Sequence, residues 1–111
     1  MSADLRGHLL LPDGPLPERA ARVRIELRDV GVQDAPAPLL AAVDWHDVPL
    51  GARRVAFRMP GVPDLTGRQV AVQVHVDVGG RGHVTSGDLL TTQHVPVTDL
   101  HTDVDVPLTR V

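Results

Sequence analysis

Two antiparallel β-sheets stacked as a sandwich are what this 111-residue chain predicts. The prediction rests on two observations. Apolar residues recur at every second position through several segments. Valine, with 18 copies, dominates an apolar fraction of 42% in which Phe57 and Trp45 are the only aromatics. β-Branched side chains suit a pleated, half-buried surface better than a helix, and period-2 alternation gives a strand one dry and one wet face. The expected architecture is all-β: an antiparallel two-sheet β-sandwich of seven or eight strands, with a small barrel as the rival. The length suits one domain over 1–111, with residues 1–6 as a candidate flexible lead.

Gly7 to Leu11 makes the first short apolar strand, and Pro12 to Pro17 ends it with turn chemistry. Proline presets φ there and glycine accepts positive φ. In Arg22 to Val30, the inward residues Val23, Ile25 and Leu27 alternate with Arg24, Glu26 and Arg28. The phase shifts between Leu27 and Val30, as a bulge requires, and a bend follows at Ala35-Pro36-Ala37-Pro38. Leu39 to Trp45 is the third strand, with Ala41, Val43 and Trp45 on one face and a turn at Asp47 to Gly51. Arg53 to Met59 is the fourth, pointing Val55, Phe57 and Met59 together. Pro60 to Asp64 then connects to the most regular strand, Gln69 to Val78, where the valines at 70, 72, 74, 76 and 78 oppose Ala71, Gln73, His75 and Asp77. Gly79-Gly80-Arg81-Gly82 reads as a hairpin link. Strands follow at His83 to Ser86 and Leu89 to Val97, in which Pro96 marks an edge or a bulge. The last strand alternates Leu100, Thr102, Val104 and Val106 with His101, Asp103 and Asp105.

Composition narrows the function classes. The formal charge is −3 and all 11 basic residues are arginine, with no run longer than Arg53-Arg54. Without a basic stripe to track a phosphate backbone, nucleic acid is not an expected partner. The absence of cysteine removes disulfides, thiolate nucleophiles and cysteine-ligated zinc. The first residues hold no apolar signal core, and runs such as Leu39 to Val43 fall far short of the ~20 residues that span a bilayer. The expectation is a cytoplasmic protein without direct membrane insertion and without a bound cofactor.

Candidate chemistry is sparse. His75 and Asp77 share the polar face of one strand, while His101, Asp103 and Asp105 share that of another; if the two strands paired, imidazoles and carboxylates would meet in a set suited to zinc or copper. The plainer reading is a row of solvated outward positions. Ser86, His83 and Asp88 are close in sequence, but no G-x-S-x-G surrounds the serine, so no enzymatic role is expected. Gly79 to Gly82 lacks both the lysine and the following helix of a phosphate loop. Within Asp44-Trp45-His46-Asp47, the lone tryptophan is either a partner-binding anchor or a packing element at the core rim, with packing favoured. Arg24, Glu26 and Arg28 read as a solvated strand face.

Three segments carry a family resemblance: RVRIELRDVGVQDAPA at Arg22 to Ala37, RRVAFRMPG at Arg53 to Gly61, and VAVQVHVDVGGRGHVTSGDLLTTQHVPVT at Val70 to Thr98. Together they resemble the YbaY/YscW family of small bacterial proteins, most specifically in Asp29-Val30 followed by Asp34-Ala35-Pro36-Ala37. The resemblance implies a β-sandwich. For the YscW branch it also implies a pilotin, a lipoprotein chaperone that binds a type III secretin subunit and escorts it to the outer membrane. Escort in that family depends on an acylated cysteine, which this sequence lacks. The expected role is therefore protein-protein interaction, chaperone-like or scaffolding, without the lipid anchor. Exposed edge strands are the docking surface or a route to homo-oligomers; the alternative is a small ligand- or metal-binding module using the outward His and Asp residues.

Overall fold

The computed structural model describes residues 3–32 and 35–111; Asp34 of the family-like passage, with Met1, Ser2 and Gln33, lies outside them. The strands in chain order are β1 (Ala3–Leu10), β2 (Arg19–Asp29), β3 (Leu39–Pro49), β4 (Arg54–Val62), β5 (Val70–Asp77), β6 (Leu89–Leu90), β7 (Pro96–Val97), β8 (Val104–Pro107) and β9 (Thr109–Arg110). They form a three-stranded sheet in the order β4-β1-β8 and a wider sheet in the order β3-β2-β5-β6-β9, with β7 also on β5. The two-sheet all-β architecture is the one that the valine alternation implies. Every ladder is antiparallel except β1 with β8, which run parallel from Gly7↔Val104 to Leu10↔Pro107. That ladder lets the late strand enter the small sheet beside the first.

Alternation sorts residues into the core. Leu5, Leu9, Phe57, Met59 and Val106 come from the small sheet, and they meet Val23, Ile25, Leu27, Val72, Val74 and Val76 from the wide one. All belong to a single cluster of buried side chains. The layers differ in width. Ala41, Val43 and Trp45 on β3 stay only half-buried against that cluster, because a narrow layer does not roof a wider one to its margin.

Several boundaries differ from the sequence reading for identifiable reasons. Residues 3–6 are not a lead but part of β1, where Leu5 pairs with Met59 and is fully buried. β3 continues past Trp45 to Pro49, because pairing with β2 as far as Arg19↔Pro49 outweighs the polar Asp44-Trp45-His46-Asp47 stretch. A register shift does fall between Leu27 and Arg28, but its extra residue is Leu40 on β3, while β2 itself keeps an unbroken register with β5 from Arg22 to Asp29. Residues 83–86 are loop, and the stretch 89–97 runs along β5 as the short β6 and β7, bonded to it also through Thr91 and Val95, with 92–94 arching away between them. Pro96 sits in β7 opposite Ala71. The last alternating segment starts as strand only at Val104, since the Asp99 carboxylate accepts the N–H groups of His101 and Thr102 and bends the chain into a turn.

Candidate functional site

The wide sheet ends at β3, an eleven-residue strand with β2 on one side and no strand on the other among the described residues. Which backbone groups are open follows from two hydrogen bonds. Asp29 donates to the Pro38 carbonyl on the β3 side at 3.0 Å, and Val30 donates to the Gln69 carbonyl on the β5 side at 2.7 Å. Backbone groups alternate in direction along a strand. Val23, Ile25 and Leu27 therefore bond across to their register partners Trp45, Val43 and Ala41. Ala42 and Asp44, between them, hold their N–H and C=O groups toward the open side. The phase changes at Asp47, which adopts φ 54°; beyond it Leu50 donates to the Glu18 carbonyl at 2.8 Å.

The other margins are guarded. Exposed Arg54, Arg58 and Pro60 line β4, β8 is four residues long and ends at Pro107, and β9 has two residues. Charges, prolines and short length are the ordinary means of blocking strand addition. From Leu39 to Val43, β3 has none of these, and Leu39 is 46% exposed.

A chain of ion pairs stiffens the outer face behind this edge. Arg22 donates through Nε to Asp44 Oδ1 at 2.7 Å, with Nη2 2.6 Å from the same oxygen, and Arg24 donates through Nη1 to Asp44 Oδ2 at 2.5 Å. Arg24 also donates through Nε to Glu26 Oε2 at 2.8 Å, and Arg28 through Nε to Glu26 Oε1 at 3.0 Å. The hydrogen bond from Arg22 does most to hold the Asp44 carboxyl below the usual carboxylate range; burial opposes it, and the hydrogen bond from Arg24 keeps the net shift downward. At Glu26 burial pushes upward, yet the hydrogen bonds from Arg28 and Arg24 carry the net shift down. The Arg24–Glu26–Arg28 face is thus an ordered, half-buried network rather than a freely solvated one. Trp45 lies half-buried on the inner side of β3, packed against the core rim and paired in register with Val23.

The histidine and aspartate candidates separate. β8 belongs to the small sheet beside β1, so His101 and Asp103 do not join His75 and Asp77 on β5, and the strand pairing required for that metal set is absent. Nor is Asp77 a solvated position: it is 2% exposed. Its carboxylate accepts the N–H of Arg81 at 3.0 Å and of Gly82 at 2.9 Å, which folds the glycine-rich link back onto the strand end. The third member of the cluster is Asp88, 1% exposed. Asp88 takes the N–H of Val78 at 3.1 Å on Oδ1, and on Oδ2 both the N–H of Thr85 at 3.0 Å and His75 Nε2 at 2.8 Å. Ligand atoms of His75, Asp77 and Asp88 all lie within 4.8 Å of one another, and each carboxylate oxygen takes at least one hydrogen bond from within the chain. The cluster works as a clamp on the 78–88 loop. At Asp77 burial raises the carboxyl pKa and the N–H groups of Gly82 and Arg81 more than reverse it; at Asp88 burial is likewise outweighed, by His75, Thr85 and Val78.

Sequence reasoning grouped Asp88 with Ser86 and His83, whereas His75, thirteen residues away, is its partner. His83 turns Nδ1 to the Arg81 carbonyl at 3.1 Å, so the hydrolase-like arrangement is not assembled. No linear spacing signals the His75–Asp88 pair; only the fold of the loop creates it. Two open clefts lie elsewhere on the surface of the described residues. One of about 840 Å³ lies at the end of the sandwich between the 63–69 and 98–101 links. Another of about 530 Å³ lies over β5 beneath the 91–95 excursion.

No protein-family model matches this chain, and no curated protein matches it in sequence. Among solved structures, an alternative pilotin from the type II secretion system of Vibrio cholerae has the same fold, with a TM-score of 0.70 over 100% of both chains at 18% identity.

Proposed function

We propose that this chain acts through protein-protein contact as a pilotin-like, chaperone-like or scaffolding module of a secretion-related assembly, akin to the YbaY/YscW proteins, and not as an enzyme. The observation that carries the reading is the full-length likeness of fold to a pilotin. Fold alone does not dictate function, so the site must supply the means. An open strand supplies it: main-chain groups give a partner segment affinity, and half-covered apolar residues give it a place to pack. No assembled catalytic group is needed, and the clamp formed by His75, Asp77 and Asp88 is spent on holding a loop.

The test is crosslinking of the tagged chain in its native host, followed by mass spectrometry of what is recovered. The expected result is reproducible enrichment of one secretin subunit or another envelope-assembly protein over a tag-only control. Recovery of nothing above the control would overturn the reading.

A further inference from the structure

We infer that β3 is the docking element, and that it takes an extended segment with apolar side chains on one face and arginine or lysine on the other, added as a new strand beside it. This rests on the protein-binding reading above. Three features of the edge set the chemistry. First, Ala42 and Asp44 offer outward N–H and C=O groups, spaced as a strand presents them for ladder bonding. Second, the inner side of β3 presents Ala41, Val43 and Trp45 half-buried. Side chains of a directly adjacent strand land about 4.5–5.5 Å away, so aliphatic residues there would finish roofing a shelf that the narrow sheet leaves bare. Third, the outer side presents Asp44. Its oxygens take Arg22 and Arg24 from the β2 side, and a carboxylate has about four acceptor positions, which leaves capacity toward the open side. A cation on the incoming strand would extend the row of alternating charge by one more strand, and Ala42 beside it leaves room for a long side chain.

The same features argue against a second copy of β3 as occupant. Between Leu39 and Pro49 the strand holds no arginine or lysine, so a β3–β3 pairing would bring Asp44 no permanent cation. The matching pattern exists elsewhere in the chain: β2, with Val23, Ile25 and Leu27 inward and Arg24 directly opposite Asp44, is what already satisfies the far side.

A synthetic peptide of sequence RVRIELR, copied from residues 22–28, is therefore the probe, titrated into the isotope-labelled full chain with amide NMR shifts as the readout. The expected shifts cluster at residues 40–46. A peptide with its arginines replaced by glutamate should bind about five-fold more weakly or worse. Ala42→Pro removes only an outward N–H, and the preceding residue already has the extended conformation that proline demands; the variant should keep the native spectrum and lose the shifts. Should it misfold, Asp44→Asn serves instead, and should abolish the preference for the arginine peptide. Shifts centred elsewhere, absence of shifts at millimolar peptide, binding that survives Ala42→Pro in a folded protein, or a concentration-dependent dimer that Ala42→Pro dissolves would each overturn the inference. The two proposals fail separately. A partner recovered by crosslinking but bound away from β3 sinks only the docking element, and peptide binding at β3 with no partner recovered sinks only the cellular role.

Discussion

At Gly7 a missing carbon decides how closely two strands approach. The residue lies on the inner side of β1 between Leu5 and Leu9, in register with Phe57 on one neighbour and Val104 on the other. A Cβ there would stand 2.0 Å from the Val104 carbonyl oxygen and 3.0 Å from Phe57 Cε1. The backbone oxygen cannot retreat without breaking the parallel ladder, so Gly7→Ala should cost about 2–3 kcal/mol in urea unfolding; an unchanged midpoint would contradict the placement of β8. Asp88 is the second residue on which much depends. Asp88→Ala would orphan the donors of Val78, Thr85 and His75, a loss of about 3 kcal/mol for a buried, charge-assisted acceptor. Its carboxyl and that of Asp77 are held below the ordinary carboxylate pKa in the folded state. The stability they contribute is therefore fully present above the unfolded-state pKa, about 3.9, and is lost as pH falls through the lowered folded values. The wild type should lose stability on acidification across that window, and Asp88→Ala should show a flatter profile. Parallel curves would refute the clamp.

At the level of elements, the long strands were legible and the short ones were not. β2, β4 and β5 are written plainly in the sequence because each is a run of alternation long enough to bury one face, and strict alternation cannot be satisfied by a helix. β6, β7 and β9 have two residues each, too few for any period. What creates them is tertiary: β5 offers hydrogen-bonding groups on its second side, which the chain from 89 to 97 meets at either side of its 92–94 arch, and β9 then pairs with β6. The expected strand at 83–86 fails because the Asp88 carboxylate takes the Thr85 N–H and the Asp88 N–H donates to the Thr85 carbonyl, which together draw that segment into a loop. The existence of β3 was legible, with Ala41, Val43 and Trp45 on one face, but its edge position, its partner and its direction of exposure were not. Those depend on which strand neighbours which, and no local pattern encodes that.

For the molecule as a whole, the sequence carried the two-sheet architecture, since valine at alternate positions leaves little choice but to face layer against layer. It did not carry the inequality of the layers. A three-stranded sheet over a wider one leaves Ala41, Val43 and Trp45 half-covered, and that asymmetry, not a catalytic constellation, is the most distinctive surface feature. The pairing that would join the two His/Asp sets is absent at this same scale: His75 with Asp77 and His101 with Asp103 are patterned alike on paper, yet the fold keeps the first pair on β5 and leaves the second in the turn before β8, a strand of the other sheet. Amide hydrogen exchange resolved along β3 tests the open edge most directly. The amides of Ala41, Val43 and Trp45, bonded to β2, should be protected, while those of Ala42 and Asp44 exchange at rates near those of exposed loops. Uniform protection from Ala41 to Trp45 would mean that the edge is already covered, and would contradict the account.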